Sequence, residues 1–180
     1  MKYKITCNLN PIYKYQLKHT ILKWLKMNIY GILSAVLMLI IFLFSSQTGN
    51  ESYHLSSGLE KFCSSIFGIG YLLHTFNIRK IAHFILYALL GTCLFTHIRY
   101  TYYFSNKYKY YIVPLMITFI YAITDELHQL FISGRSGNVY DVFIDVSGCL
   151  LALVINFIVI TILEKRDLKL KQKLSEIYNN

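Results

Sequence analysis

Residues 121–145 read YAITDELHQLFISGRSGNVYDVFID, and they set Asp125, Glu126, His128, Gln129, Arg135, Asp141 and Asp145 at the ends of two segments apolar enough to cross a bilayer. An ionisable group at membrane depth costs several kcal/mol, so a chain that keeps a cluster of them there uses them. The apolar runs on either side fix the fold class. The polar cluster between them is the place to look for function.

Working outward, the same pattern repeats. The chain is 55% hydrophobic and only 15% charged, with a mean hydropathy of +0.43, well above an ordinary soluble domain. Its apolar residues fall in four runs, 28–46, 81–98, 111–131 and 142–163. Each is close to the roughly 20 residues that carry a helix across about 30 Å of hydrocarbon. The expected fold is therefore an all-α polytopic bundle of about four transmembrane helices in the plasma membrane. The first run is too long for the apolar region of a signal peptide, and the SSQTG after it lacks a clear small-residue cleavage site, so it is expected to stay as a span.

Charge asymmetry orients the bundle. Of the 18 basic residues, 14 lie in the N-terminal arm, in the loop between the second and third runs, and in the tail. Short cytoplasmic loops are enriched in Lys and Arg. Both termini are thus expected in the cytoplasm, and the net charge of +9 reflects topology. No basic and aromatic patch points to nucleic acid. The expected organisation is a basic arm over 1–27, a membrane domain over 28–163 and a basic tail over 164–180. Within the arm, KYQLKHTILKWLKM (14–27) sets Leu17, Ile21, Trp24 and Leu25 at helical spacing among lysines, which predicts a surface helix on the inner leaflet. His54 to Phe76 predicts an outer interfacial helix weakened by Gly68 and Gly70. Cys7, Cys63, Cys93 and Cys149 are scattered, without CxxC spacing, which argues against a disulfide framework or a zinc site. Neither a metal nor a cofactor is expected.

On this topology the polar residues gather at the outer side. Gln47 and Thr48 follow span one, Arg79, Lys80 and His83 open span two, Asp125, Glu126, His128 and Gln129 close span three, and Asp141 and Asp145 open span four. Lys80, His83 and Tyr87 share a helix face, as do Asp125, His128 and Gln129. Asp125 and Glu126 are neighbours that diverge by about 100°, so they are expected to address different partners. Asp141 and Asp145 face the same way, and Arg135, Arg79, Lys80, a raised pKa or a bound cation could relieve their repulsion. Arg135, in the SGRSGN turn, is suited either to cap that pair or to meet an anionic headgroup.

Taken together, Lys80-x-x-His83-Phe84-x-x-Tyr87, Asp125-Glu126-x-x-Gln129-x-Phe131-x-x-x-Arg135 and Asp141-x-x-x-Asp145-x-x-Gly148 resemble the VanZ-like integral membrane family, named for a protein linked to low-level resistance to the glycopeptide teicoplanin. SSQTG is similar to the family's opening motif. The resemblance covers roughly residues 30 to 163. Asp145 stands where many members carry Asn, and Ala152 where a second Gly often follows Gly148. Gly148 with Ala152 still allows close helix approach. The resemblance implies a cell-envelope context without supplying a reaction.

Three functions fit these residues. The first is an accessory protein whose outer cluster of Arg79, Lys80, His83, Asp125, Glu126, Gln129, Arg135, Asp141 and Asp145 binds an envelope lipid, a cell-wall precursor or a glycopeptide-like ligand and alters antibiotic susceptibility. The second is an enzyme acting on such a lipid, with Glu126 or Asp125 as general base and His83 or His128 as acid or electrostatic partner. A divalent-cation form of it would use Asp141, Asp145 and Glu126. The third is a small carrier, disfavoured because the charges lie at one end and no inverted repeat is present. Each bears on membrane lipids as partners.

Overall fold

The computed structural model describes residues 11–68 and 78–179. It is helical throughout, with no strand among the described residues: α1 (Pro11–Ser45), α2 (Gly49–Phe67), α3 (Ile78–Thr101), α4 (Lys109–Gln129) and α5 (Val139–Asn179). Helices α1, α3, α4 and α5 are each long and apolar enough to cross a membrane, as the four apolar runs predict.

Two helices run beyond the bilayer. At 1.5 Å per residue, the 41 residues of α5 extend about 62 Å, twice the hydrocarbon thickness. Its second half, with Lys165, Arg166, Lys169, Lys171 and Lys173, is exposed. The separate surface helix expected over 14–27 is not formed. Those residues belong to the same continuous helix as span one, because KYQLKHTILKWLKM holds no Gly, Pro or cap at which hydrogen bonding could stop. Lys2, Lys4 and Cys7 lie outside the described residues.

The helix expected over His54 to Phe76 is α2, starting earlier than expected. Thr48 caps it: its hydroxyl accepts the Glu51 N–H at 3.4 Å, and the Glu51 carboxylate accepts the Thr48 N–H at 2.9 Å. These reciprocal bonds form a capping box, and the Thr48 backbone and hydroxyl donors hold the Glu51 carboxyl below its usual range. Gly68 ends the helix in a left-handed conformation, φ 66°, which glycine adopts without steric penalty. It is a terminator rather than a weak point, and Gly70 lies outside the described residues.

Helix α3 is central, packing chiefly on α5 and α1 and also on α4. Ile41, Tyr87, Leu90, Leu94, Ala122 and Val142 form one buried cluster, and Phe95, Cys149 and Leu153 a second. The lipid-facing sides are as apolar as these cores, with Leu39, Phe42, Ile85, Ile120 and Ile155 all exposed. Burying apolar groups therefore gains little, and association depends on close fit and interhelical polar bonds. The fit is closest where α5 crosses α3. A Cβ on Gly148 would run into the Phe84 carbonyl oxygen, and one on Gly91 would meet Cys149. Polar bonds tie the other contacts, as where the Tyr121 hydroxyl donates to the Met38 carbonyl and an imidazole nitrogen of His97 lies 2.8 Å from the Met27 carbonyl oxygen.

Candidate functional site

The first two turns of α3, the last two of α4 and the first two of α5 meet at one end of the bundle. A pocket there is lined by Arg79, Lys80, His83, Glu126, Gln129, Asp141, Ile144 and Asp145. Seven of the residues singled out from sequence are thus brought together, and the pocket is small. Its free volume of about 10 Å³ holds roughly one water molecule.

The mouth carries one ion pair and a second cation. Lys80 Nζ lies 2.5 Å from Asp141 Oδ1, with both side chains partly exposed. Lys80 is therefore the group that relieves the Asp141–Asp145 repulsion at its outer member. Arg79 donates to the side-chain amide oxygen of Gln129, Oε1, at 3.5 Å.

The floor is organised by Gln129. Its amide nitrogen lies 3.2 Å from Ser45 Oγ, 3.3 Å from Asp125 Oδ2 and 3.4 Å from Glu126 Oε1. Asp125 and Glu126 therefore share a partner, contrary to the expectation from their divergence. The reason is length: Gln129 is three residues from one and four from the other, and a long amide straddles both. Glu126 also accepts the Asn138 backbone N–H at 2.9 Å, tying α4 to the start of α5. Asp125 accepts the Ser45 hydroxyl at 2.8 Å, tying α4 to α1. Deeper still, His83 Nδ1 stands 3.8 Å from Asp145 Oδ2 and 4.0 Å from Asp125 Oδ2.

Two of the nominated residues face elsewhere. His128 stacks on Phe42 with ring centroids 4.7 Å apart and lies 3.0 Å from the Ser46 hydroxyl, away from the pocket lining. Arg135 does not cap the Asp141 and Asp145 pair. It donates to the Phe44 carbonyl at 2.7 Å, satisfying one of the open carbonyls at the end of α1. Burial, with the Arg79 charge second, pushes its pKa down to about 10, so it stays cationic at neutral pH. Gln47 lies beside a neighbouring cleft with Arg79 and His83, and Thr48 is occupied in capping α2.

Ser45, quoted only as the first residue of SSQTG, and Asn138 are the residues that reading the sequence did not assign to the site. A signal for Ser45 existed. Ser34, Ile41 and Ser45 are buried along one side of α1, with Met38 packed beside them, the spacing of a stripe that faces other helices. Asn138 contributes only a backbone group, which side-chain pattern cannot disclose.

A sequence model described as VanZ/LLP1 matches residues 30–160. No curated protein and no solved structure matches the chain.

Proposed function

Because the chain belongs to the VanZ/LLP1 family, we propose that this multi-pass plasma-membrane protein holds the anionic headgroup of an envelope lipid or cell-wall precursor at its polar pocket and so alters teicoplanin susceptibility. The carrying observation is the grading of the pocket, with Arg79 and the Lys80–Asp141 pair at the more exposed mouth over buried Glu126, Gln129 and Asp145. Arg and Lys suit a phosphate at the mouth, while Glu126 and Asp141 are acceptors for hydroxyl or amine groups. With space for about one water inside, the headgroup rests on the mouth and only a single atom or small group enters. Positive-inside asymmetry supports a mouth on the outer side with both basic ends in the cytoplasm.

A second reading, an enzyme acting on the same lipid, draws on one observation: His83 is buried next to two carboxylates, with its Nε2 unbonded within the protein. In that reading His83 or Glu126 moves a proton at the bound headgroup. His128 has the weaker claim, since it stacks on Phe42.

Glu126→Gln tests the proposal in cells. Glutamine keeps a carbonyl oxygen for the Asn138 N–H and removes the charge. Expressed at matched membrane levels, wild type should raise the teicoplanin threshold, and Glu126→Gln should return it to that of empty cells. A mutant as protective as wild type removes Glu126 from the function, and protection by neither removes glycopeptide susceptibility from the proposal.

A further inference from the structure

Below the pocket, His83 on α3, Asp125 on α4 and Asp145 on α5 each bring one ligand-type atom to within 4.8 Å of the others. We propose that these three residues bind a divalent transition-metal ion of the Zn²⁺ or Mn²⁺ type. The inference does not depend on lipid binding, and either could fail while the other stands.

Burial is the first support. His83 is 7% exposed, Asp125 3% and Asp145 1%, so little solvent reaches them. The second is that they do not satisfy one another. At 3.8 and 4.0 Å the imidazole is beyond hydrogen-bond reach of either carboxylate. Asp145 Oδ2, the atom turned towards His83 Nδ1, has no hydrogen-bond partner within the protein, and neither do the second oxygen of Asp125, Oδ1, and the far ring nitrogen of His83, Nε2. Three such groups on three different helices are rare in a well-packed interior.

Geometry and charge then select the occupant. Ligand atoms about 2.1 Å from a tetrahedral ion stand roughly 3.4 Å apart, so an inward movement of about half an ångström closes the shell. Two carboxylates carry the charge that a divalent ion neutralises, while Lys80 pairs with Asp141, Arg135 donates to the Phe44 carbonyl and Arg79 reaches Gln129. One imidazole nitrogen with two carboxylate oxygens suits zinc or manganese better than the all-oxygen preference of calcium. Asp125 Oδ2, which faces His83, accepts from the Ser45 hydroxyl and the Gln129 amide; these bonds fix the carboxylate, as outer hydrogen bonds orient metal ligands, and leave Oδ1 unbonded. His83 and Asp145 also border the pocket, whose free volume matches one water. The fourth coordination position would open there, as in zinc sites that keep a solvent ligand.

The test uses the full chain purified in detergent, stripped with chelator, equilibrated separately with Zn²⁺ and Mn²⁺, desalted and assayed for metal per protein. Wild type and Glu164→Gln, altered at the opposite end of the bundle, should retain about one ion per chain. Asp145→Asn and His83→Gln should lose most of it. Should those variants fail to extract as folded protein, Co²⁺ added to wild type gives a second readout: visible absorption bands of a low-symmetry nitrogen and oxygen site, removed by Zn²⁺. Wild type that holds neither ion, or retention unchanged in folded Asp145→Asn and His83→Gln, overturns the proposal. So does a Co²⁺ spectrum identical to the hydrated ion.

Discussion

Gly148→Val is expected to leave little folded protein in the membrane. Helix α5 passes so close to α3 that any Cβ at this position strikes the Phe84 carbonyl oxygen, a backbone atom that no rotamer change can move. The helices must separate, and with them Cys149, Ala152 and Leu153, which are buried in the same contact. Forcing atoms into a packed core costs about 1–3 kcal/mol where side chains can adjust, and here they cannot, so the upper end or more is expected. Gly91→Val should do less harm, since part of what it meets is the Cys149 side chain. Gly58→Ala should be neutral or stabilising by about 0.5–1 kcal/mol, because nothing lies within 4 Å of that site and alanine is the better helix former. Thermal unfolding in detergent orders the three. A Gly148→Val protein as stable as wild type would mean that α3 and α5 do not cross as described.

The second large effect is expected from Gln129→Leu. The leucine fills similar space but removes the amide that serves Ser45, Asp125 and Glu126 and the oxygen that meets Arg79. Asp125 keeps the Ser45 hydroxyl and Glu126 keeps the Asn138 N–H. Each nevertheless loses a donor while buried, and a buried group stripped of a partner costs about 1–3 kcal/mol, more when charged. We expect a loss of about 3 kcal/mol, with Glu126→Gln milder because its amide oxygen keeps the Asn138 N–H and only the contact with the Gln129 amide is lost. Denaturation midpoints of the purified variants decide this. Equal midpoints for Gln129→Leu and wild type would dissolve the network as a structural element.

The spans were legible because membrane thickness imposes a length that an apolar run either has or lacks. The Lys80, His83 and Tyr87 face was legible from helical periodicity for the same kind of reason, a local rule. What escaped depends on relations between helices. Nothing in SGRSGN tells Arg135 to reach the end of α1 instead of the neighbouring aspartates, since that choice follows from where α1 stops. His83, Asp125 and Asp145 are more than 15 residues from one another, so no spacing motif joins them. The arm shows the opposite failure. Its basic amphipathic pattern suggested a surface helix, whereas unbroken helix propensity carried span one straight through it.

The most direct test of the central claim is lipid retention by the purified protein. Wild type and the double variant Arg79→Gln with Lys80→Gln would be placed in nanodiscs of phosphatidylcholine containing a minor fraction of phosphatidylglycerol or a polyprenyl phosphate, then extracted, with the lipids that remain bound counted by native mass spectrometry. Lys80 is partly exposed, so the double variant should fold. The account predicts that wild type retains the anionic lipid in preference to phosphatidylcholine, and that the double variant loses about tenfold of that preference, the equivalent of roughly 1.4 kcal/mol. Equal retention of anionic lipid by both proteins would contradict it.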